Sequence, residues 1–135
     1  MNTSLLVITL MLASILSIAP AKARAENGKV WEIEATKDQA FVVKGEKKPV
    51  ITAKAGEQVT LRITAHKGTA QAKDGSVHGF TIKSLADQGW NVRLKEGTQE
   101  VTLKAPDKPG EYVIECNVPC GPGHAEQKMK LVVTP

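Results

Sequence analysis

The sequence predicts an all-β domain built from about eight or nine short strands. From Val30 onward, apolar and polar residues alternate with a period of two, and turn residues interrupt the alternation at short intervals. No long stretch shows the helical spacing of apolar residues. With 135 residues, 11 Gly and 7 Pro, the chain has room for one domain with one modest core.

The alternation is clearest in residues 31–35 and 59–65, where each strand would have one buried face and one wet face. Further strands are predicted at residues 41–43, 49–52, 78–82, 90–94, 101–103, 112–116 and 128–133. Turn signals containing Gly or Pro separate them at 44–46, 55–57, 96–98 and 107–110. Residues 67–76 and 84–89 are interpreted as long irregular loops, the part of a small β domain that often carries the site.

The N-terminus has the composition of an export signal. Residues 5–20 are mostly apolar, and alanines at positions 21, 23 and 25 favour cleavage after Ala23 or Ala25. The alternative is an uncleaved anchor, but the apolar run is shorter than the ~20 residues that a spanning helix needs. We therefore expect a signal peptide at 1–25, a mature domain at 26–135, and a periplasmic or otherwise extracytoplasmic location without stable membrane insertion.

The charge balance argues against nucleic acid as a partner. Cleavage would remove Lys22 and Arg24, leaving 16 of the 18 basic residues against 14 acidic ones and a net charge of +2 instead of +4. No block of Lys and Arg is interleaved with aromatic residues. The densest cluster, Lys44, Lys47 and Lys48, is interpreted as a solvated hairpin end.

Two thiols and an imidazole fall within one short loop, Cys116-Asn-Val-Pro-Cys120-Gly-Pro-Gly-His124. The Gly and Pro residues between them favour a tight turn that directs several side chains toward one point. Thiolate and imidazole are ligands that copper and zinc prefer. On a separate strand, His78 shares its phase with buried apolar residues, which places it where a fourth ligand would lie.

Other interpretations of these residues remain open from the sequence. The two Cys of an exported chain could form a disulfide, although the loop it would close is too short to contribute much chain entropy. Two Cys and two His could also form a closed tetrahedral zinc site. Taken alone, His78 would be a core-edge histidine bonded to backbone, and His66 a solvent-exposed loop residue.

Three motifs resemble the CuA domains of haem-copper oxidase subunit II and of nitrous oxide reductase, which are cupredoxin-fold β-barrels. They are Val77-His78-Gly79-Phe80, Pro109-Gly110-Glu111-Tyr112 and Cys-x3-Cys-Gly-x-Gly-His, within a similarity that runs from about residue 77 to 133. The resemblance implies a cupredoxin-like Greek-key β-sandwich or barrel over residues 26–135.

The same resemblance implies the ligands of two copper ions. Cys116 and Cys120 would bridge the pair, His78 and His124 would each bind one ion, and the backbone carbonyl of Val118 would be a weak ligand. No catalytic residue is implied.

The axial position departs from the family pattern. The family has Met three residues after the second His, and this chain has Gln127, with Met129 two residues later in the same strand phase. Either side chain could be the weak ligand. The spacing from His124 to Met129 also allows a mononuclear blue or red copper site formed by Cys120, His78, His124 and Met129. Because both Cys match the CuA pattern, we favour two coppers with Gln127 axial.

The expected function is electron transfer rather than catalysis. A monomeric exported protein would pass single electrons from a cytochrome or quinol-side donor to a terminal oxidase or reductase. One alternative is a periplasmic chaperone that delivers copper, and another is an accessory oxidase subunit lacking its own membrane helices. A hydrolytic enzyme is disfavoured, because no acidic residue follows Cys116 or Cys120 at a useful spacing.

Overall fold

The computed structural model describes residues 28–135. The predicted signal peptide at 1–25 and its cleavage site lie outside the described residues. Nine strands follow one another along the described chain: β1 (Val30–Ala35), β2 (Phe41–Val43), β3 (Val50–Lys54), β4 (Gln58–Ala65), β5 (His78–Thr81), β6 (Asn91–Leu94), β7 (Gly97–Lys104), β8 (Gly110–Glu115) and β9 (Lys128–Thr134). The predicted all-β class is confirmed.

The strands form two sheets. One has the order β2-β1-β4-β7 and the other the order β3-β9-β8-β5-β6. Two pairs are parallel, β1 with β4 and β3 with β9, and the remaining pairs are antiparallel. The parallel pairs join strands that are distant in sequence, so the chain crosses between the sheets instead of forming a simple meander.

The core lies between the two sheets because each strand directs its alternate apolar residues inward. In the first sheet Leu61 and Ile63 are fully buried, and in the second Ile114 and Leu131 are fully buried. All four belong to one continuous hydrophobic cluster. The alternation in the sequence therefore predicted the buried face of these strands correctly.

Two aromatic residues, one from each sheet, pack against each other in the core. Phe41 of β2 and Phe80 of β5 meet edge to face, with ring centroids 5.5 Å apart and an interplanar angle of 80°. This geometry is favourable for aromatic pairs. Because Phe80 is two residues from His78 in β5, this contact holds the strand that carries the first predicted ligand.

Two local predictions were incomplete. The sequence predicts a turn at 96–98, whereas β7 already begins at Gly97. β7 starts this early because it pairs along the whole length of β4, from Gly97 opposite Ala65 to Lys104 opposite Gln58. The expected loop at 84–89 contains a short 3₁₀-helical segment, Lys83–Gln88. It ends at Gly89, which has a φ of 96° and donates its N–H to Leu85 O.

Among residues 28–135, no helix has the length and hydropathy required to cross a membrane.

Candidate metal centre

The predicted ligands meet at one end of the second sheet. β5 begins at His78, and β8 ends at Glu115 beside Thr81 of β5. The loop between β8 and β9, residues 116–127, is called the ligand loop here. Its base is closed by a hydrogen bond from Cys116 N to Gln127 O, 3.1 Å long. The loop thus starts on β8, the strand that lies beside β5 and its His78, and ends on β9, the next strand of the sheet.

Three of the predicted ligands form a compact buried cluster. The ligand atoms of His78, Cys116 and Cys120 all lie within 4.8 Å of one another. Within the described chain this is the one group of three or more His, Cys, Asp and Glu side chains close enough to hold a metal ion. Both cysteines are free, with their Sγ atoms 3.6 Å apart. No disulfide joins the two cysteines in this structure.

The fourth predicted ligand, His124, reaches the same cluster from the rim. It begins the short 3₁₀ turn His124–Glu126, and its Nδ1 lies 3.7 Å from Cys120 Sγ. Unlike the other three side chains, His124 is only partly buried. The structure therefore brings together all four residues that the sequence predicted, with one of them at the protein surface.

The ring of His78 is oriented by a backbone carbonyl. Its Nε2 lies 2.7 Å from the carbonyl oxygen of His66. Since a carbonyl can only accept, Nε2 carries a hydrogen, and Nδ1 faces the cluster, where it either carries a second proton beside the Cys116 thiolate or offers its lone pair to a metal ion. Metal-binding histidines are commonly oriented in this way. The side chain of His66 is exposed, as the sequence predicted. Its backbone carbonyl is the part that contacts the site.

Gln127 is fully buried and faces the same cluster. Its Oε1 lies 3.1 Å from His78 Nδ1 and 3.2 Å from Cys120 Sγ, while its Nε2 has no hydrogen-bond partner within the described residues. Exchanging the amide oxygen and nitrogen would leave the oxygen without a partner instead. In either orientation, one end of a buried amide points into the space between His78 and Cys120.

The two other weak-ligand candidates lie in different places. The carbonyl oxygen of Val118 is 3.1 Å from Cys116 Sγ, at the edge of the cluster. Met129 lies in β9 opposite Ile114, is 2% exposed and belongs to the hydrophobic core. Met129 is one pleat farther along the sheet than Gln127.

The environments of the two thiols differ. Burial raises the pKa of Cys116, but hydrogen bonds from His78 and from the Gly79 N–H outweigh burial, and the net pKa is lowered. Burial, followed by the neighbouring Cys116, raises the pKa of Cys120. The metal-free site therefore favours one thiolate beside one thiol.

Close packing explains why the residue that follows His78 is a glycine, Gly79. A Cβ at this position would lie 2.8 Å from Asn117 N and would overlap the Asn117 side chain. Asn117 Nδ2 donates to Asn91 Oδ1 at 3.0 Å, and the same oxygen accepts from Thr81 Oγ1 at 3.0 Å. This network connects the start of the ligand loop with β5 and β6.

A second network fixes the segment that leads into His78. The carboxylate of Asp74 accepts from Ser76 N and Oγ at 3.0 and 2.9 Å, and from Arg93 Nε at 2.6 Å. The bond from Arg93, followed by the bond from the Ser76 backbone, holds the pKa of Asp74 well below its usual range. Asp74 thus ties the chain just before β5 to strand β6.

Known proteins with a similar fold are found among solved structures. No family model and no curated protein matches the chain. A chain of a haem-copper terminal oxidase dimer studied by cryo-EM is similar, with a TM-score of 0.56 and 22% identity. This match covers 78% of the present chain but 65% of the oxidase chain, so the chain spans less than two thirds of that relative.

Two further solved structures are similar. Auracyanin A, a "blue" copper protein from Chloroflexus aurantiacus, has a TM-score of 0.50 and 25% identity over 78% of this chain and 98% of its own. The periplasmic domain of subunit II of cytochrome oxidase from Bradyrhizobium japonicum has a TM-score of 0.50 and 14% identity over 78% and 83%. The chain therefore has the cupredoxin fold, and the fold predicted from its motifs is confirmed.

The depressed pKa of Asp74 predicts an acid-dependent loss of stability. A carboxylate whose pKa is lowered by folding stabilises the protein above its unfolded pKa, about 3.9, and loses this contribution as the pH falls below that value. Metal-free wild-type protein should therefore exceed the Asp74→Asn variant in unfolding free energy at neutral pH, and the difference should shrink below about pH 4.

Urea unfolding across this pH range measures the effect. The exposed Asp87 supplies the matched control, since Asp87→Asn removes a carboxylate outside this network. A difference between wild type and Asp74→Asn that stays constant from neutral to acidic pH would contradict the assignment.

Proposed function

We propose that this chain is an exported electron-transfer protein that binds copper at His78, Cys116, Cys120 and His124. The observation that supports this most is the buried cluster of two free thiols and one imidazole, with ligand atoms within 4.8 Å of one another. The fold adds to it, since the similar structures include a "blue" copper protein and a domain of cytochrome oxidase.

The residues present fit a soft metal ion. With its Nε2 hydrogen directed at the His66 carbonyl, His78 has its Nδ1 3.1 Å from Gln127 Oε1, and both atoms face the cluster. This pair of atoms is satisfied by a proton on Nδ1, by exchange of the amide oxygen and nitrogen, or by a metal ion. A metal ion at the cluster would satisfy both atoms together with the thiolates. Thiolate and imidazole ligands suit copper and zinc, and the fold favours copper between the two.

The proposed site holds two copper ions. The two Sγ atoms are 3.6 Å apart, and each belongs to a buried side chain. Each thiolate has enough lone pairs to bind both ions, whereas His78 and His124 approach the thiols from different elements, β5 and the 3₁₀ turn. We propose that the cysteines bridge the pair and that each histidine binds one ion.

Copper would supply a one-electron redox couple, and the protein would restrict movement of the ligands around it. His78 is held by the carbonyl of His66, and Cys116 accepts the N–H of Gly79 at 3.3 Å. The strands beneath the site are closely packed and exclude water. A site whose ligands move little between the two redox states exchanges electrons rapidly.

His124 is the expected point of electron exchange, because it is partly exposed while His78, Cys116 and Cys120 are buried. A redox partner, such as a cytochrome c-like protein or a terminal oxidase or reductase, would dock over this edge. We propose that the chain acts as a monomer outside the cytoplasm. The predicted signal peptide and the similarity to a periplasmic oxidase domain support this location.

Gln127 is the proposed axial ligand. Its amide contacts both His78 Nδ1 and Cys120 Sγ, while Met129 is packed opposite Ile114 in the core. Val118 offers its carbonyl beside Cys116 as a further weak ligand. Burial of both thiols also favours retention of copper over its delivery to another protein, so electron transfer is preferred to a chaperone role.

Copper loading tests the proposal directly. Wild-type protein reconstituted with excess copper and then desalted should retain two ions per chain and show a reversible one-electron couple. Cys116→Ser and Cys120→Ser should each retain at most one ion, because each removes a bridging ligand. Metal analysis and voltammetry give the result, and thermal unfolding of the metal-free variants controls for folding.

Retention of no copper by the wild type would contradict the proposal. Retention of one ion by both the wild type and Cys116→Ser would contradict the dinuclear site and favour the mononuclear alternative with Cys120 and Met129.

The reduction potential distinguishes the two axial candidates. Gln127→Met should raise the potential, because a thioether favours the reduced ion more than an amide oxygen does. Met129→Leu keeps the size and apolar character of a core residue and should leave the potential unchanged. The opposite pattern, a shift only in Met129→Leu, would assign the axial role to Met129.

A further inference from the structure

We infer that Gln39, in the loop between β1 and β2, is a positioning residue that holds the ligand loop and thereby the ring of His124. The inference rests on the proposed function only in that His124 is taken as a copper ligand. No motif marks Gln39 in the sequence, and it lies far along the chain from the loop that it contacts.

Both ends of the Gln39 amide are bonded. Its Oε1 accepts the backbone N–H of Gly123 at 3.0 Å, and its Nε2 donates to the carbonyl oxygen of Lys37. The residue is 9% exposed, which is unusual for a glutamine in a loop. The amide therefore bridges two loops, with one bond to the turn that contains it and one bond to the ligand loop.

The backbone of Gln39 has an unfavourable conformation. Its φ of 56° makes it the one residue other than glycine in the left-handed region among residues 28–135. The turn that imposes this conformation is closed by bonds from Gln39 N to Thr36 O and from Thr36 N to Ala40 O, 3.1 and 2.9 Å long. Glycine or asparagine would suit this position better. The presence of glutamine points to a requirement for its longer side chain.

The side chain of Gln39 fills a space lined by three glycines. A Cβ at Gly68 would lie 2.7 Å from Gln39 Nε2, one at Gly121 would lie 2.8 Å from Cδ, and one at Gly123 would lie 3.0 Å from Oε1. Gly68 belongs to the loop between β4 and β5, and the other two lie between Cys120 and His124, on either side of Pro122. Because these three residues have no side chain, the Gln39 amide can contact both the β4–β5 loop and the ligand loop at close range.

The bond to Gly123 acts at the base of His124. Gly123 is the residue from which the His124–Glu126 turn starts, and its carbonyl accepts the N–H of Glu126 at 3.1 Å. Fixing the N–H of Gly123 fixes the Pro122–Gly123 peptide, one residue before His124, and thereby limits the directions in which the His124 side chain can point. Without Gln39, this part of the loop would keep its own turn bonds, from His124 N to Gly121 O and from Glu126 N to Gly123 O, but its two glycines would allow it more backbone freedom.

The test separates positioning from stability with three substitutions. Gln39→Met keeps the length of the side chain and removes both hydrogen bonds. Gln39→Gly also removes the amide but relieves the left-handed backbone, so it should not lose stability for conformational reasons. Gln39→Glu keeps an acceptor for Gly123 and should restore part of the effect. Gln88→Met, on the exposed 3₁₀ segment, is the matched control.

In metal-free protein, amide hydrogen exchange at Gly123 should be about tenfold faster in Gln39→Met and Gln39→Gly, and closer to wild type in Gln39→Glu. In copper-loaded protein, release of copper to a chelator should be about 10- to 100-fold faster in the first two variants, with a changed copper hyperfine spectrum. Gln88→Met should match the wild type in both measurements.

Wild-type exchange at Gly123 and wild-type copper release in Gln39→Met would overturn the inference. Equal loosening in Gln39→Glu and Gln39→Met would also count against a role for the Gly123 bond. If the wild type binds no copper, the proposed function fails, while exchange at Gly123 still decides whether Gln39 holds the loop.

Discussion

The site depends on the hydrogen bond between Cys116 N and Gln127 O, which closes the ligand loop at the rim of the second sheet. Because β8 and β9 are antiparallel neighbours, this bond brings the first and last residues of a twelve-residue loop together, both facing the core. β5 lies beside β8, so His78 falls next to Cys116. The pairing of strands in this sheet therefore places three polar side chains, those of His78, Cys116 and Gln127, facing the core.

The loop then has to direct polar groups into an apolar interior, where each unsatisfied group is costly. Most of them are bonded: His78 to the His66 carbonyl, Cys116 to the Gly79 N–H, and Gly123 to Gln39. The remaining polar groups, the Gln127 amide and the Cys120 thiol, converge on the same point as His78 and Cys116. A cluster of this kind is poorly satisfied by protein alone and well satisfied by a soft metal ion. Folding and metal binding therefore favour the same arrangement.

The fold and the residues that converge at the candidate metal centre could be predicted from the sequence because their signals are local. Alternation of apolar residues located the strands, and the spacing of Cys116, Cys120 and His124 located the site. The parts that could not be predicted depend on contacts between distant segments. The length of β7 is set by its pairing with β4, and nothing in the sequence near Gln39 indicates that it reaches Gly123. The preference for Gln127 over Met129 already followed from the family pattern, and the folded loop adds the contacts of Gln127 with His78 and Cys120.

The proposed arrangement is that two copper ions share the thiolates of Cys116 and Cys120. Electron paramagnetic resonance of the copper-loaded protein, half reduced, tests it most directly. Two coppers bridged by both thiolates should give a hyperfine pattern in which one unpaired electron is spread equally over two copper nuclei. A pattern from an electron confined to a single copper nucleus would contradict it.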